Sequence, residues 1–507
     1  MHPSAVMRAR QLAGQRAAAR RPKSKFVSLT APIGGVNSRD AISAMAPTDA
    51  VEMVNWYPTM GSVDLRNGYT QFCTGVGAGD VNTLAEFHAG ATRKFLAISS
   101  TDIYEISTGT ASSLASGFTS GRWQHVNFIS SMLLVNGADT PQTYDGSTIS
   151  AWTGSGPTVT NVIGCAVYRN RIYVWENARQ SVWYSATNTI GGGYTEFPLG
   201  RVGAFGGNIV AVGTWTHDGG DGADDFIVFF MSSGEAMVYS GDPASTFALV
   251  GIYRVPPPIN ARSVVKAGPD LVVHSKDDIY SFSAVLKDGG AIRQASKISG
   301  LAKSAYATYG TLNGWQAVFF PSGGKMLFNV PLSSTLFDQF VLNINTGAWT
   351  TFSDWNARCF GVYNDRLYMG GGGGIVYQAD TGDDDNGSAI SADCRQAWTT
   401  FGANGPFAVR GTRPVMQTLG TLSFSQGVGY DFTPSYSSQT TSTASSGTPW
   451  GSPWGSPWSP ATQIRRYFQA QTGRGYQASF RLTTQTTNQS INWYQTDFLI
   501  EPTTGKV

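Results

Sequence analysis

Charge is scarce in this sequence. Asp, Glu, Lys and Arg together make up 13% of 507 residues, and the formal net charge is +2. So small a balance singles out no polyanionic or polycationic partner for the chain as a whole. Cysteine is scarcer still. Cys73, Cys165, Cys359 and Cys394 lie far apart and form no C-x-x-C pair, so their spacing offers neither a disulfide framework nor a zinc site. Free thiols in a protein made in a reducing compartment are the expectation. The five histidines are scattered, and H-E-x-x-H, G-x-S-x-G and a phosphate-binding glycine-rich loop are all missing. No apolar run is long enough to cross a bilayer as a helix, and no heptad pattern is sustained. These absences predict no catalytic site, no cofactor, no metal and no enzymatic activity. Distant acids converging in a funnel remain a route to glycan cleavage that spacing does not test.

Aromatics, at 12%, and 60 glycines are what the chain has in quantity, a profile of all-β proteins with tight turns and an aromatic core. Residues 325–382 show the pattern best. Asn345-Thr346-Gly347 separates two β-rich runs, and Asn364-Asp365 separates the next two. The five glycines from Gly370 to Gly374 then precede IVYQ. Short Asn, Asp and Gly turns between such runs mark antiparallel hairpins. Trp349 and Phe352 are an odd number of positions apart, so strand alternation predicts opposite faces, with Trp349 inward. Fainter copies of the unit occur at 93–107, 131–146, 170–186, 225–241 and 270–283, each a strand, a polar turn and a strand carrying an aromatic. Their spacing suits four short strands per repeat and predicts a degenerate β-propeller over residues 81–382, with a hairpin-rich sandwich as the alternative. Val255-Pro256-Pro257-Pro258 reads as a stiff break between repeats.

The two ends differ from the middle. Residues 1–25 carry Arg8, Arg10, Arg16, Arg20, Arg21, Lys23 and Lys25, with no acid before Asp40. They read as a basic arm with a short helix over 5–19, either docked on a partner subunit or nucleic-acid phosphates or simply solvated. Past a linker at 383–388 the pattern changes, and residues 383–507 predict a second β-domain of sandwich type. Within it, Trp450, Trp454 and Trp458 stand in a Trp-Gly-Ser-Pro repeat that forbids helix and offers a contact surface, or else folds back over its own domain. Two acidic loops, 217–225 around Asp221 and 380–387 around Asp384, raise the question of calcium. Neither fits an EF-hand, and solvated turns explain both.

Residues 26–80 hold the most specific pattern: Pro32-Ile33-Gly34-Gly35, Asn55-Trp56-Tyr57-Pro58, then Arg66-Asn67-Gly68. This stretch resembles the opening of the tail nozzle and tail-hub proteins of short-tailed bacteriophages (tail tubular protein B-like, packaged-DNA-stabilisation-like), in which an Arg-x-Gly enters the first blade. Here Asn67 stands where proline is usual. Residues 473–482 and 498–502 resemble strands near the end of the same family. On physical grounds alone, 26–80 can supply the outer strand that closes a propeller ring. The resemblance implies a virion tail protein made in the host cytoplasm. It implies a homohexameric ring that joins the tail adaptor (head–tail connector), with tail fibres or spikes as further partners, and that retains packaged double-stranded DNA and conducts it without sequence preference. The alternative function is a tail-associated receptor-binding propeller that binds or cleaves carbohydrate.

Overall fold

The computed structural model describes residues 24–216, 226–287, 295–419, 422–433, 435–436, 439–443, 462–464 and 468–503. The chain forms two compact units. One comprises residues 36–40 and 66–390, the other residues up to 35, 41–65 and 391 onward.

The larger unit is a seven-bladed β-propeller. Blade 1 runs through Thr83–Ala89, Thr92–Ile98, Ile103–Glu105 and Ser112–Ala115, and blade 2 through Gln124–Phe128, Ser131–Val135, Gln142–Tyr144 and Ile149–Ala151. Blade 3 comprises Val162–Tyr168, Arg171–Glu176, Ser181–Tyr184 and Thr195–Pro198. Blade 4 comprises Ile209–Trp215, Phe226–Met231, Glu235–Ser240 and Ala248–Arg254. Blade 5 has Val264–Ala267, Asp270–His274 and Ile279–Ser281, with the helix Phe282–Lys287 packed on the last two. Blade 6 holds Gln316–Phe320, Lys325–Pro331, Phe337–Asn343 and Trp349–Phe352. Blade 7 takes Cys359–Tyr363, Arg366–Gly370 and Val376–Ala379, and completes itself with Tyr69–Cys73 from far upstream. First strands of successive blades abut, and that of blade 7 lies against that of blade 1, so the ring closes.

Two local rules build each blade. The first two strands of blades 1, 2, 3, 5 and 7 are joined by two-residue turns with left-handed backbone: Gly90, Ile129, Arg169-Asn170, Gly268 and Asn364-Asp365 all have positive φ. Such turns match the natural twist of a hairpin. The second strands are apolar on both sides, because each face of a blade is covered by a neighbour. In blade 1, Phe95 and Ala97 pack toward blade 7, while Leu96 and Ile98 pack toward blade 2. In blade 4, Ile227 and Phe229 pack toward blade 3, while Val228 and Phe230 pack toward blade 5. The same double coverage buries both Trp349 and Phe352, at 6% and 0% exposure, so the expected inward and outward faces are both interior. The three prolines lie at a blade boundary, between Ala248–Arg254 and Val264–Ala267.

Blade 5 ends its second strand in His274, which is fully buried between the rings of Trp315, Phe328 and Phe340, at 5.3, 5.6 and 6.4 Å. Burial disfavours the imidazolium and pushes the ring down to about 3 from an ordinary 6.5. The unfolded chain therefore takes up a proton between those values that the folded chain refuses. Its contribution to stability is complete above the unfolded value and is lost as the pH falls below it, by about 1.4 kcal/mol per pH unit. Urea unfolding at pH 7 and pH 5 checks this. His274→Phe is expected to reduce the loss between those two pH values by about 2 kcal/mol, and an unchanged loss would remove His274 as the cause.

The smaller unit stacks two sheets. One holds Phe407–Leu419, Ile491–Pro502, Lys25–Thr30, Trp56–Pro58 and Val63–Leu65, with the short strands Thr462–Ile464 and Gln469–Ala470. The other holds Asp49–Val54, Ile390–Gln396, Ala478–Thr486, Leu422–Tyr430 and Gln439–Thr443. Phe480 of the second sheet meets Trp493 and Phe498 of the first at 5.9 and 5.8 Å, which is the sandwich-like core.

These units correct the segmentation read from sequence. The stretch 26–80 does not join the propeller as a whole. Lys25–Thr30 pairs along Ile491–Pro502, and Asp49–Val54 pairs with Ile390–Gln396. Residues 36–40 and 66–80 belong to the propeller unit, and Tyr69–Cys73 completes the last blade, not the first. Lys25 is thus a strand residue, whereas Arg8, Arg10, Arg16, Arg20, Arg21, Lys23 and the helix expected over 5–19 lie outside the described residues.

The acidic segment 380–387 is corrected as well. Instead of a solvated linker it is a latch on the entering chain. Asp385 is 4% exposed and receives both terminal nitrogens of Arg66, Nη1 to Oδ1 at 2.8 Å and Nη2 to Oδ2 at 2.7 Å. Asp380 pairs with Lys325 at 2.8 Å. Backbone bonds from Gly68 to Gly382 and from Tyr69 to Asp384 stitch the two segments together. A Cβ on Gly68 would sit 1.6 Å from the Asp384 carbonyl oxygen, so glycine is required there by backbone approach. Carboxylates committed to Arg66 and Lys325 are not available as a calcium cage. Among the described residues, no group of three or more His, Cys, Asp or Glu side chains could hold a metal ion, and the loop around Asp221 lies outside those residues. Among the described residues no helix is long and apolar enough to cross a membrane.

Candidate functional site

The site that sequence reasoning missed is at one mouth of the propeller axis. Arg122, Arg262 and Arg358 each stand one or two positions before the first strand of a blade, ahead of Gln124, Val264 and Cys359. Propeller geometry brings all first strands to the axis, so three cations scattered in sequence converge. They share the surroundings of Cys359, whose thiol burial pushes up to about 11 against the opposing pull of Arg262, Arg122 and Arg358.

The three arginines are held differently. Arg262 is buried and donates to the carbonyls of Asn82 and Trp123 at 2.9 and 2.5 Å and to Thr83 Oγ1 at 2.7 Å. It clamps the starts of blades 1, 2 and 5 together. Burial first, and then the charge of Arg122, lower its affinity for its proton. Arg358 meets Asp80 at 2.7 Å in a charge contact, with no aligned hydrogen bond from its Nε, and lies 6.0 Å from the centre of the Phe337 ring. Arg122 is half-buried and donates to the Trp315 carbonyl at 3.0 Å. Neither Arg122 nor Arg262 has a carboxylate in ion-pair contact among the described residues. Arg122 and Arg358 share one cavity with the carboxylate of Asp80, which is 43% exposed.

A cavity of about 400 Å³ opens beside Arg122 and Arg358, walled by Asn82, Ser120, Thr311, Asn313, Ser333, Ser334 and Phe337. Deeper along the axis a smaller cavity of about 150 Å³ is lined by Gln124, His125, Arg262 and Gln316. His125 is surrounded by protein on all sides, yet its side chain is open to the channel. Its depth and the nearby Arg262 charge lower its pKa, and access of solvent along the channel limits that effect. No nucleophile and base stand in a hydrogen-bonded pair at either cavity among the described residues, and the chemistry the mouth offers is anion binding through guanidinium forks.

The residues singled out from sequence as contact points are not among those that line this mouth in the described part of the chain. Trp450, Trp454 and Trp458 lie outside the described residues, as do the six cations from Arg8 to Lys23. The signal that would have found the arginines is positional: a cation just ahead of three of the seven inner strands, visible only once the blades are registered.

No family model matches the chain, and no curated protein matches it. Among solved structures it is similar to the computationally designed Ika8 protein, at 11% identity, TM-score 0.37, covering 61% of this chain and 99% of that one. It is also similar to BamB from Moraxella catarrhalis, at 10% identity, TM-score 0.36, covering 64% and 93%. A third likeness is to the WD40 β-propeller domain of Doa1, at 9% identity, TM-score 0.39, covering 61% and 96%. The blades themselves rest on the strand pairing described above.

Proposed function

We propose that this chain is a non-enzymatic structural protein of the tail of a short-tailed bacteriophage, a ring-forming nozzle or hub that extends the portal–adaptor channel, retains packaged DNA and conducts it at ejection. One observation carries the reading: the residues that resemble that family are the joints of this fold. Arg66 and Gly68 form the latch from which Tyr69–Cys73 closes the last blade. Residues 473–482 and 498–502 supply core strands of the sandwich, with Phe480 and Phe498 in ring contact. A resemblance confined to motifs of no structural consequence would have weighed less.

The conduit in this reading is the axis of the oligomer. Around the propeller's own axis the first strands of the blades abut, and Gln124, His125, Arg262 and Gln316 line a small cavity there. DNA would meet the ring through phosphates and shape, because a conduit passes any sequence. Imaging of assembled tails tests the proposal. Six copies in a single axial ring beneath the adaptor, around a channel of duplex width, is the expected result. Peripheral fibres or spikes would overturn it in favour of a carbohydrate-binding or carbohydrate-cleaving receptor propeller.

A further inference from the structure

We infer that the arginine-rich mouth of the propeller axis is a binding site for a small hydroxylated ligand carrying one oxyanion, a carboxylate or a phosphate. The inference is independent of the nozzle reading and stands on the cavity alone.

The three cations of the mouth are engaged to different degrees. Arg262 spends its donors on two carbonyls and a hydroxyl, so it is a structural clamp that contributes field. Arg358 is half neutralised by Asp80. Arg122 is different: among the described residues it makes one side-chain bond, to a carbonyl, and has no carboxylate in ion-pair contact, and it lines the cavity. A guanidinium withdrawn from bulk water without a counter-charge is costly, and an arriving anion offsets that cost. Its planar fork suits a carboxylate or phosphate held by two bonds.

The rest of the wall defines the remainder of the ligand. Asn82, Asn313, Ser120, Ser334 and Thr311 present amides and hydroxyls that both donate and accept, the complement of a polyol. The volume, about 400 Å³, suits a monosaccharide-sized molecule. Asp80 competes with such a ligand for Arg358. It therefore acts as a built-in rival anion, and this gives the site a signature that a purely structural arginine cluster would lack.

Isothermal titration of the full chain with inorganic phosphate, glucuronate and glucose tests the proposal. Phosphate or glucuronate is expected to bind and glucose not to, with affinity falling as salt is raised. Preference for phosphate identifies a phosphoester ligand, and preference for glucuronate a sugar acid; either supports the site. Arg122→Gln is expected to weaken binding by about tenfold or more, and Arg122→Lys to recover part of the loss. Asp80→Asn is expected to tighten binding by about three- to tenfold, a gain that misfolding cannot produce. No heat with either anion, equal binding of glucose, unchanged affinity in Arg122→Gln, or weaker binding in Asp80→Asn would each overturn the assignment.

Discussion

Asp385→Ala is expected to lower the unfolding free energy by about 3–5 kcal/mol, the usual cost of removing one partner from a buried ion pair. The Arg66 side chain is 0% exposed, and the carboxylate holding it is 4% exposed. Arg66 also donates to the carbonyls of Asn67 and Ser353 at 3.0 and 2.9 Å and lies 5.3 Å from the centre of the Trp355 ring. Removing the carboxylate would take from that buried cation the partner that meets both of its terminal nitrogens. Replacing both partners by apolar residues of similar volume, Arg66→Met with Asp385→Leu, is expected to recover most of the loss, since such replacements are often neutral or stabilising. Urea unfolding of the single and double variants checks both statements. A single-variant loss below about 1 kcal/mol would place the pair among weak surface contacts.

Phe95→Ala is expected to cost a similar amount, about 3–5 kcal/mol, for a different reason. Phe95 is fully buried where the first and last blades meet. It stacks on Tyr363 at 4.8 Å with rings 3° from parallel and touches Tyr368 at 5.0 Å. Its removal opens a cavity at the seam of the ring, and the rigid blade faces on either side have little freedom to collapse into it. A thermal or urea midpoint equal to that of wild type would mean that the seam bears no load. Hydrogen exchange should localise the damage to Thr92–Ile98 and Arg366–Gly370.

The propeller was legible in sequence for a definite reason. In the second strands Thr92–Ile98 and Arg171–Glu176 the stretches FLAI and IYVW are covered on both faces, so they read as short apolar runs against a glycine-rich background. The run at 325–382 was clearest because Asn364-Asp365 adopts the left-handed turn its residue types favour. Ile129 and Arg169 make equivalent turns with positive φ, but neither residue type announces it. The blade count was hidden in part by the last blade, whose fourth strand comes from residues 69–73. The split of 26–35 and 41–65 away from the propeller was invisible because pairing between Lys25–Thr30 and Ile491–Pro502 leaves no local mark. Asp385 looked solvated for the same cause: its partner, Arg66, is remote in sequence. The axial mouth was missed because Arg122, Arg262 and Arg358 become neighbours only when the ring closes.

The borrowed strand of blade 7 has a temporal consequence. Tyr69–Cys73 emerges from the ribosome early, but its partner Val376–Ala379 follows only after roughly 300 further residues, about 15 to 60 seconds of synthesis at ordinary elongation rates. Over that interval the strand has no native edge to join. Six blades can assemble in order of synthesis while the seventh waits, and the loop to be closed at the end is among the longest the chain contains. The nascent protein therefore passes through a stage in which the circle is nearly drawn and both edges of its gap are bare. Once Val376–Ala379 is made, its outer edge can accept the same strand from another molecule, which makes exchange of residues 69–73 between copies the characteristic error of this fold.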